Sequence, residues 1–260
     1  MIDIDAAARR LWALREACQT IATLPDAERP RTLDEAYAVQ DRVAELTGEA
    51  TAAWKIGASS LGIQKRLGVS EPFSGRYQTP YAFEYPAVLG WERFATRPGV
   101  ECEIGLRLGR DVLPADGPFD AESISGAVDA IVPTIELVCG RYDDPFSLEA
   151  PSLVADNGMA GYLVLGEPVP MAEAPDLARV RAVVRVNGDA VASGDLGSAE
   201  FDPFEMLAWL AGNLAERKIP LTEGTIVSTG SLTGVHFVRP TDGIVADLGP
   251  LGRVSVMVSD

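Results

Sequence analysis

The chain has little of what many kinds of site require. Its 260 residues hold one histidine and three cysteines, Cys18, Cys102 and Cys139. Cysteines so widely spaced and odd in number argue against both a disulfide framework and a zinc cluster. His236 stands alone in "VHFV", a setting in which histidine is more often structural, and no Ser, Cys and His share a recognisable triad spacing. Basic residues are also scarce. Against 38 acidic residues there are 22 Lys and Arg, a net charge of −16, so the chain has no electrostatic footprint for nucleic acid or an anionic membrane. No apolar run approaches the ~20 residues that span a bilayer. The charged start "MIDIDAAARRLWALREA" reads as a helix rather than a signal peptide. Phosphate-binding P-loops and dinucleotide fingerprints are missing too. What these absences leave is a small-molecule protein of a reducing cytoplasm, in which an anionic substrate needs a local positive charge or a metal.

An apolar content of 47% in 260 residues is enough for a substantial core. The first third reads as helical. Ala8, Leu11, Trp12, Cys18 and Ile21 recur at helical spacing over 5–24, and Thr32 with Glu35 forms a capping-box pattern ahead of Ala36, Val39, Val43 and Leu46. A short strand "TAAWKIGA" and a helix near 60–68 follow, and Pro72, Pro80 and Pro86 mark an irregular connection. From about residue 88 strands dominate, at 100–109, 131–139, 158–166, 179–187, 189–194, 225–229, 243–248 and 252–258. Asn187-Gly188 suits a two-residue type I′ hairpin. Helices are expected at 120–129 and after Asp202, which is followed by Pro203 and Glu205. The class is α+β: a helical N-terminal region, 1–85, then a mixed β domain, 86–260, as a folded-over sheet or β-sandwich.

The chemistry concentrates in "RPGVECEIGLRLGRD". As a strand it puts Val100, Cys102, Ile104, Leu106 and Leu108 on one face and Glu101, Glu103, Gly105 and Arg107 on the other. Two like charges side by side cost stability. They are either a solvated face partly screened by Arg107 or ligands of a cation. Glu136, in the apolar "IVPTIELVCG", tips the balance, because a charge there needs a partner, either Arg141 or Arg107, or a metal. Glu101, Glu103 and Glu136 around one ion would be an oxygen-only set, suited to Mg²⁺, Mn²⁺ or Ca²⁺. Lys55 is a lone cation in an apolar strand, either an edge lysine reaching water or a group for a substrate carboxylate or proton. Asp156 and Asn157 form a turn or present a carboxylate and an amide to a pocket. Thr229, Gly230 and Ser231, in "STGSLTG", either connect strands or form an anion nest.

Seven stretches taken together resemble a known family. "AYAVQ" (36–40), "WKIG" (54–57), "LGV" (67–69), "GVECEIGLRLGRD" (99–111), "PTIELV" (133–138), "VADN" (154–157) and "TGSLTG" (229–234) follow the order of the 2-keto-4-pentenoate hydratases. Those enzymes are grouped with the 4-oxalocrotonate decarboxylases in the fumarylacetoacetate hydrolase superfamily. The resemblance runs from Tyr37 to Val258. It implies a mixed β-sandwich-like roll behind a helical region, and Mg²⁺ or Mn²⁺ on Glu101, Glu103 and Glu136. Lys55 matches the family's active-site lysine. Asp156 is then a candidate catalytic residue, with Asn157, Thr229, Gly230 and Ser231 as candidates for substrate binding. The implied activity is a lyase acting on short 2-oxo or 2-hydroxydienoic acids of aromatic catabolism, in a homo-oligomer. The alternatives are a 2-oxo-dioate decarboxylase, a diketo-acid C–C hydrolase, or a non-catalytic partner subunit. The sequence departs from the family pattern at Phe73 and Ser74, where an Asp is usual, and at Met159, where a Ser is usual. Asp195 and Asp202 stand where basic residues or His are common.

Overall fold

A computed structural model describes residues 2–260. Helix α1 (Ile4–Glu16) begins at Asp3, whose carboxylate accepts from the Ala6 N–H at 3.0 Å. It ends well short of the expected residue 24. Cys18 takes a left-handed backbone, and Ile21 forms a parallel bridge to Tyr142 that draws the chain off the helix axis. Helix α2 (Leu33–Thr47) starts at Thr32, whose hydroxyl accepts from Glu35 N at 3.2 Å. The Glu35 carboxylate reaches past the cap to the Arg31 N–H.

The elements that follow are β1 (Thr51–Gly57), α3 (Leu61–Leu67), β2 (Phe73–Gln78), β3 (Ala82–Glu84), β4 (Ala87–Gly90), β5 (Gly99–Leu108), α4 (Ala121–Ser125) and β6 (Val128–Val138). Next come α5 (Ala150–Ala155), β7 (Ala160–Leu165), β8 (Val169–Pro170), β9 (Arg181–Val186), β10 (Asp189–Asp195) and α6 (Pro203–Glu216). The chain closes with β11 (Ile226–Ser231), β12 (His236–Phe237), β13 (Gly243–Asp247) and β14 (Arg253–Ser259). Two further expectations need correcting. The proline-marked stretch contains β2, which pairs antiparallel with β1. The helix expected over 120–129 stops at Ser125, because the apolar run from Val128 pairs as a strand instead.

Nine strands form one sheet in the order β2-β1-β11-β5-β6-β7-β3, with β12 on β5 and β8 on β6. Five strands form a second sheet, β10-β9-β13-β14-β4. Asn187 and Gly188 both have positive φ at the β9–β10 turn, as a type I′ hairpin requires. The main core lies between the sheets. It joins Cys102, Ile104, Leu106, Ile135 and Leu137 to Val184, Ile244, Val254 and Val256, and extends to Leu207, Leu210 and Leu214 of α6. A second cluster packs α1 and α2, through Ala8, Leu11, Ala36 and Val39, against Phe73, Tyr142 and Val154. This architecture is α+β, with a helical N-terminal region and mixed sheets. Lys55 and the three glutamates lie on the face of the large sheet turned away from the five-stranded one.

Candidate metal centre

Register builds the site. Strands β5 and β6 pair antiparallel with Glu101 directly opposite Glu136 and Glu103 opposite Thr134. On the other flank of β5, Ser228 of β11 lies opposite Gly105, while Ser231 lies opposite Glu103. Between those two pairs β11 carries one extra residue, a bulge. Gly230 sits in it at φ 128°, and a Cβ there would fall 2.1 Å from Ser59 Oγ, so only glycine fits. The bulge turns the Gly230 N–H onto Glu103 Oε2 at 3.1 Å. Strand β1 lies inside the sheet, between β2 and β11, so Lys55 is no edge lysine and is 4% exposed.

The carboxylates of Glu101, Glu103 and Glu136 each offer an oxygen within 4.8 Å of the others. Glu103 and Glu136 are each 1% exposed. Lys55 Nζ is 3.2 Å from Glu136 Oε1 and donates to the Gly158 carbonyl at 2.9 Å. Tyr77 Oη donates to the same Glu136 oxygen at 2.7 Å. Ser228 Oγ donates to Glu103 Oε2 at 2.6 Å and accepts from Thr134 Oγ1 at 3.0 Å. Both deeply buried carboxylates are thus bound through one oxygen by the protein, with the other oxygen left uncommitted.

Burial, then the charge of Glu136, pushes the Glu101 carboxyl up to about 7, despite the Lys55 ammonium. The same causes, with Glu101 added, hold Glu103 well above the usual carboxylate range. Burial alone would lower the Lys55 pKa, but the charges of Glu136, Glu101 and Glu103 outweigh it and raise it. With one ammonium against three carboxyl groups, full ionisation would leave two negative charges, which a divalent cation matches. Ser231 Oγ, across the strand from Glu103, is buried without a hydrogen-bond partner. An all-oxygen donor set, uncommitted carboxylate oxygens and an orphaned hydroxyl fit a hard divalent ion and an oxygen ligand.

The remaining candidates fall around this centre. Asn157, Gly158 and Met159 have consecutive positive φ, a turn that costs the two non-glycine residues strain. The turn is held by Asn157, whose amide accepts from Arg76 N at 2.8 Å and donates to Arg76 O at 2.6 Å. Asp156 is bound by Arg141, to its Nε and at 2.8 Å to its backbone N–H, and no hydrogen bond links it to the carboxylate cluster. Thr229 turns to the far side and donates to Ile104 O at 2.8 Å. Neither arginine considered for Glu136 reaches it: Arg141 pairs with Asp156 and Arg107 with Asp129. Phe73 is buried, packs over Gly57 and Gly158, and sets its ring centroid 5.9 Å from Lys55 Nζ. Met159 packs on Gly140. Sequence reasoning missed Tyr77 and Ser228. Tyr77 lay in the stretch read as irregular, although Phe73, Gly75 and Tyr77 alternate as a strand face should.

A family model of the fumarylacetoacetate (FAA) hydrolase C-terminal domain matches residues 70–259. The chain belongs to the fumarylacetoacetate hydrolase family. Among family relatives it is 30% identical to a 2-keto-4-pentenoate hydratase of Paraburkholderia xenovorans over 96% of this chain and 93% of that one. It is 29% identical to a 4-oxalocrotonate decarboxylase of Pseudomonas putida over 86% and 84%. The solved structure of 4-oxalocrotonate decarboxylase from Pseudomonas putida G7, complexed with magnesium and adipate, superposes with a TM-score of 0.90 at 26% identity, covering 98% of this chain and 97% of that one. The same decarboxylase has also been solved with calcium and acetate. Among the described residues no helix is long and apolar enough to cross a membrane.

Proposed function

We propose that the protein is a metal-dependent lyase of short 2-oxo or 2-hydroxydienoic acids, of the 2-keto-4-pentenoate hydratase kind. The observation that carries this is the triad of half-buried Glu101 with buried Glu103 and Glu136, set against the buried Lys55. The three glutamates would hold Mg²⁺ or Mn²⁺. Once bound, the ion would supply Lewis-acid stabilisation of negative charge developing on the substrate's 2-oxygen. The protein's own groups do the rest. Lys55 keeps an N–H beyond those given to Glu136 and Gly158, for the substrate carboxylate or for proton delivery. Ser231 offers its free hydroxyl to a substrate oxygen. Asp156 and Asn157 act through the turn that aims the Gly158 carbonyl at Lys55, and Thr229 and Gly230 act by fixing the bulge against Glu103. The chain works as a homo-oligomer in the cytoplasm.

Decarboxylation of a 2-oxo-dioate is the second reading, and Phe73 favours it. Addition of water needs a group that positions and deprotonates that water. Beside Lys55 the sheet presents an aromatic ring, and Asp156 is committed to Arg141. The test is a turnover screen of 2-hydroxydienoates and 2-oxo-dioates with Mg²⁺ and Mn²⁺, with product analysis. A 4-hydroxy-2-oxo acid supports the hydratase, and CO₂ release supports the decarboxylase. Accumulation of the 2-oxo-enoate alone would mean that proton transfer survives while hydration is lost. Absence of any metal-dependent turnover would sink the enzyme reading and favour a non-catalytic subunit.

A further inference from the structure

A cavity of about 40 Å³ lies on the helical side of the molecule, between α1, α2, β2 and the 155–157 segment. Its walls include three guanidinium groups, Arg15, Arg76 and Arg141, together with Gln40 and the rings of Trp12 and Tyr81. In a chain with a net charge of −16 this is a marked concentration of positive charge. Their counter-charges are incomplete. Arg141 has Asp156 to itself, whereas Arg76 shares Asp41 with Arg217. Arg15 has no carboxylate partner among the described residues. It donates to the carbonyls of Ala160 and Gly161 at 2.6 and 2.7 Å and stacks 3.8 Å over Tyr81. Burial, then the neighbouring Arg141, lowers its pKa, the signature of a cation short of compensation.

Orphaned polar atoms point to the same place. Arg15 Nε, Arg76 Nε and Gln40 Oε1 are buried without a hydrogen-bond partner, and all three residues line this cavity. Gln40 is 3% exposed. Its amide cannot flip to relieve the problem, because Nε2 already donates to Ser74 O at 2.8 Å and Val154 O at 2.5 Å. Unpaired buried groups are rare, and three around one void call for an occupant. That occupant accepts from two guanidinium N–H groups and donates to an amide oxygen. The volume leaves room for a small ion.

We propose that this cavity binds a small oxyanion, with hydrogen carbonate matching its polarity. Two carbonate oxygens accept from Arg15 Nε and Arg76 Nε, and the hydroxyl donates to Gln40 Oε1. The site adjoins the metal centre through one turn: Asn157 lines the cavity, and the next residue carries the carbonyl that holds Lys55. The proposal does not depend on the lyase reading, because it is tested on metal-free protein.

Thermal unfolding of EDTA-treated protein is followed against sodium hydrogen carbonate, with ionic strength held constant by sodium chloride. The expected result is a saturable Tm rise of about 2–4 °C. Ala44→Leu keeps every charge and places a larger side chain in the cavity, since Ala44 lines it. That variant should lose the rise, as should Arg15→Met. If Arg15→Met fails to fold, Ala44→Leu decides alone. A wild-type Tm that does not respond saturably overturns the proposal, and so does an equal rise in Ala44→Leu.

Discussion

Strand β9 of the five-stranded sheet exposes Arg181 and Arg185 and buries Ala182, Val184 and Val186, and β14 follows the same alternation. Strand β5 of the nine-stranded sheet has the same period but a different outcome, burying Glu103 at 1% exposure as completely as Ile104. The difference lies in what covers the second face. One face of the five-stranded sheet meets the core, so polarity there tracks exposure. Both faces of the large sheet are covered around β5 and β6, so a carboxylate on its second face has to be neutralised by something specific. Burial of charge on one sheet and its exposure on the other mark which sheet is built for chemistry and which for support.

The largest effect should come from Glu103→Gln, which keeps the shape of a ligand and removes its charge. Mn²⁺ affinity should fall by at least about 100-fold, beyond the usual loss for a group that only supports a ligand. Turnover should vanish while the circular dichroism spectrum persists. Unchanged Mn²⁺ titration would show that the triad is only a tolerated cluster. Lys55→Met comes next, with kcat/KM reduced by about 10²- to 10⁴-fold in a protein that still binds Mn²⁺. Normal kcat/KM would make the lysine a counter-ion and nothing more.

Tyr77→Phe sharpens the comparison, since it removes only the hydroxyl that fixes Glu136 Oε1. Mn²⁺ should bind about 10- to 100-fold more weakly, with the loss partly overcome at saturating metal. Loss of activity that high Mn²⁺ does not restore would contradict a positioning role. The smallest effect is expected on the other sheet. Arg185→Gln on exposed β9 should change stability by no more than about 0.5 kcal/mol in urea unfolding and leave metal affinity alone. A large effect there would break the distinction between the two sheets.

Local patterns in the chain carried several of these features directly. The period-two alternation of 99–108 is a property of successive side chains, and so it placed Glu101 and Glu103 on one face without any partner strand. Caps at Thr32 and Asp202 and the Asn187-Gly188 turn are equally local, and each forms as its residue types require. An apolar strand interrupted by Glu136 or Lys55 signals that a charge needs a partner, but it does not say which. Tertiary structure made that choice. The β5–β6 register sets Glu101 against Glu136, the β11 bulge brings Gly230 to Glu103, and Arg141 goes to Asp156 rather than Glu136. Strand β2 and Tyr77 were hidden because prolines punctuate the sequence around a strand whose pairing with β1 is not written in its own composition. Register and ion pairing are non-local: they depend on which segments share a dry interior, and a one-residue slip would carry every one of these side chains to the opposite face.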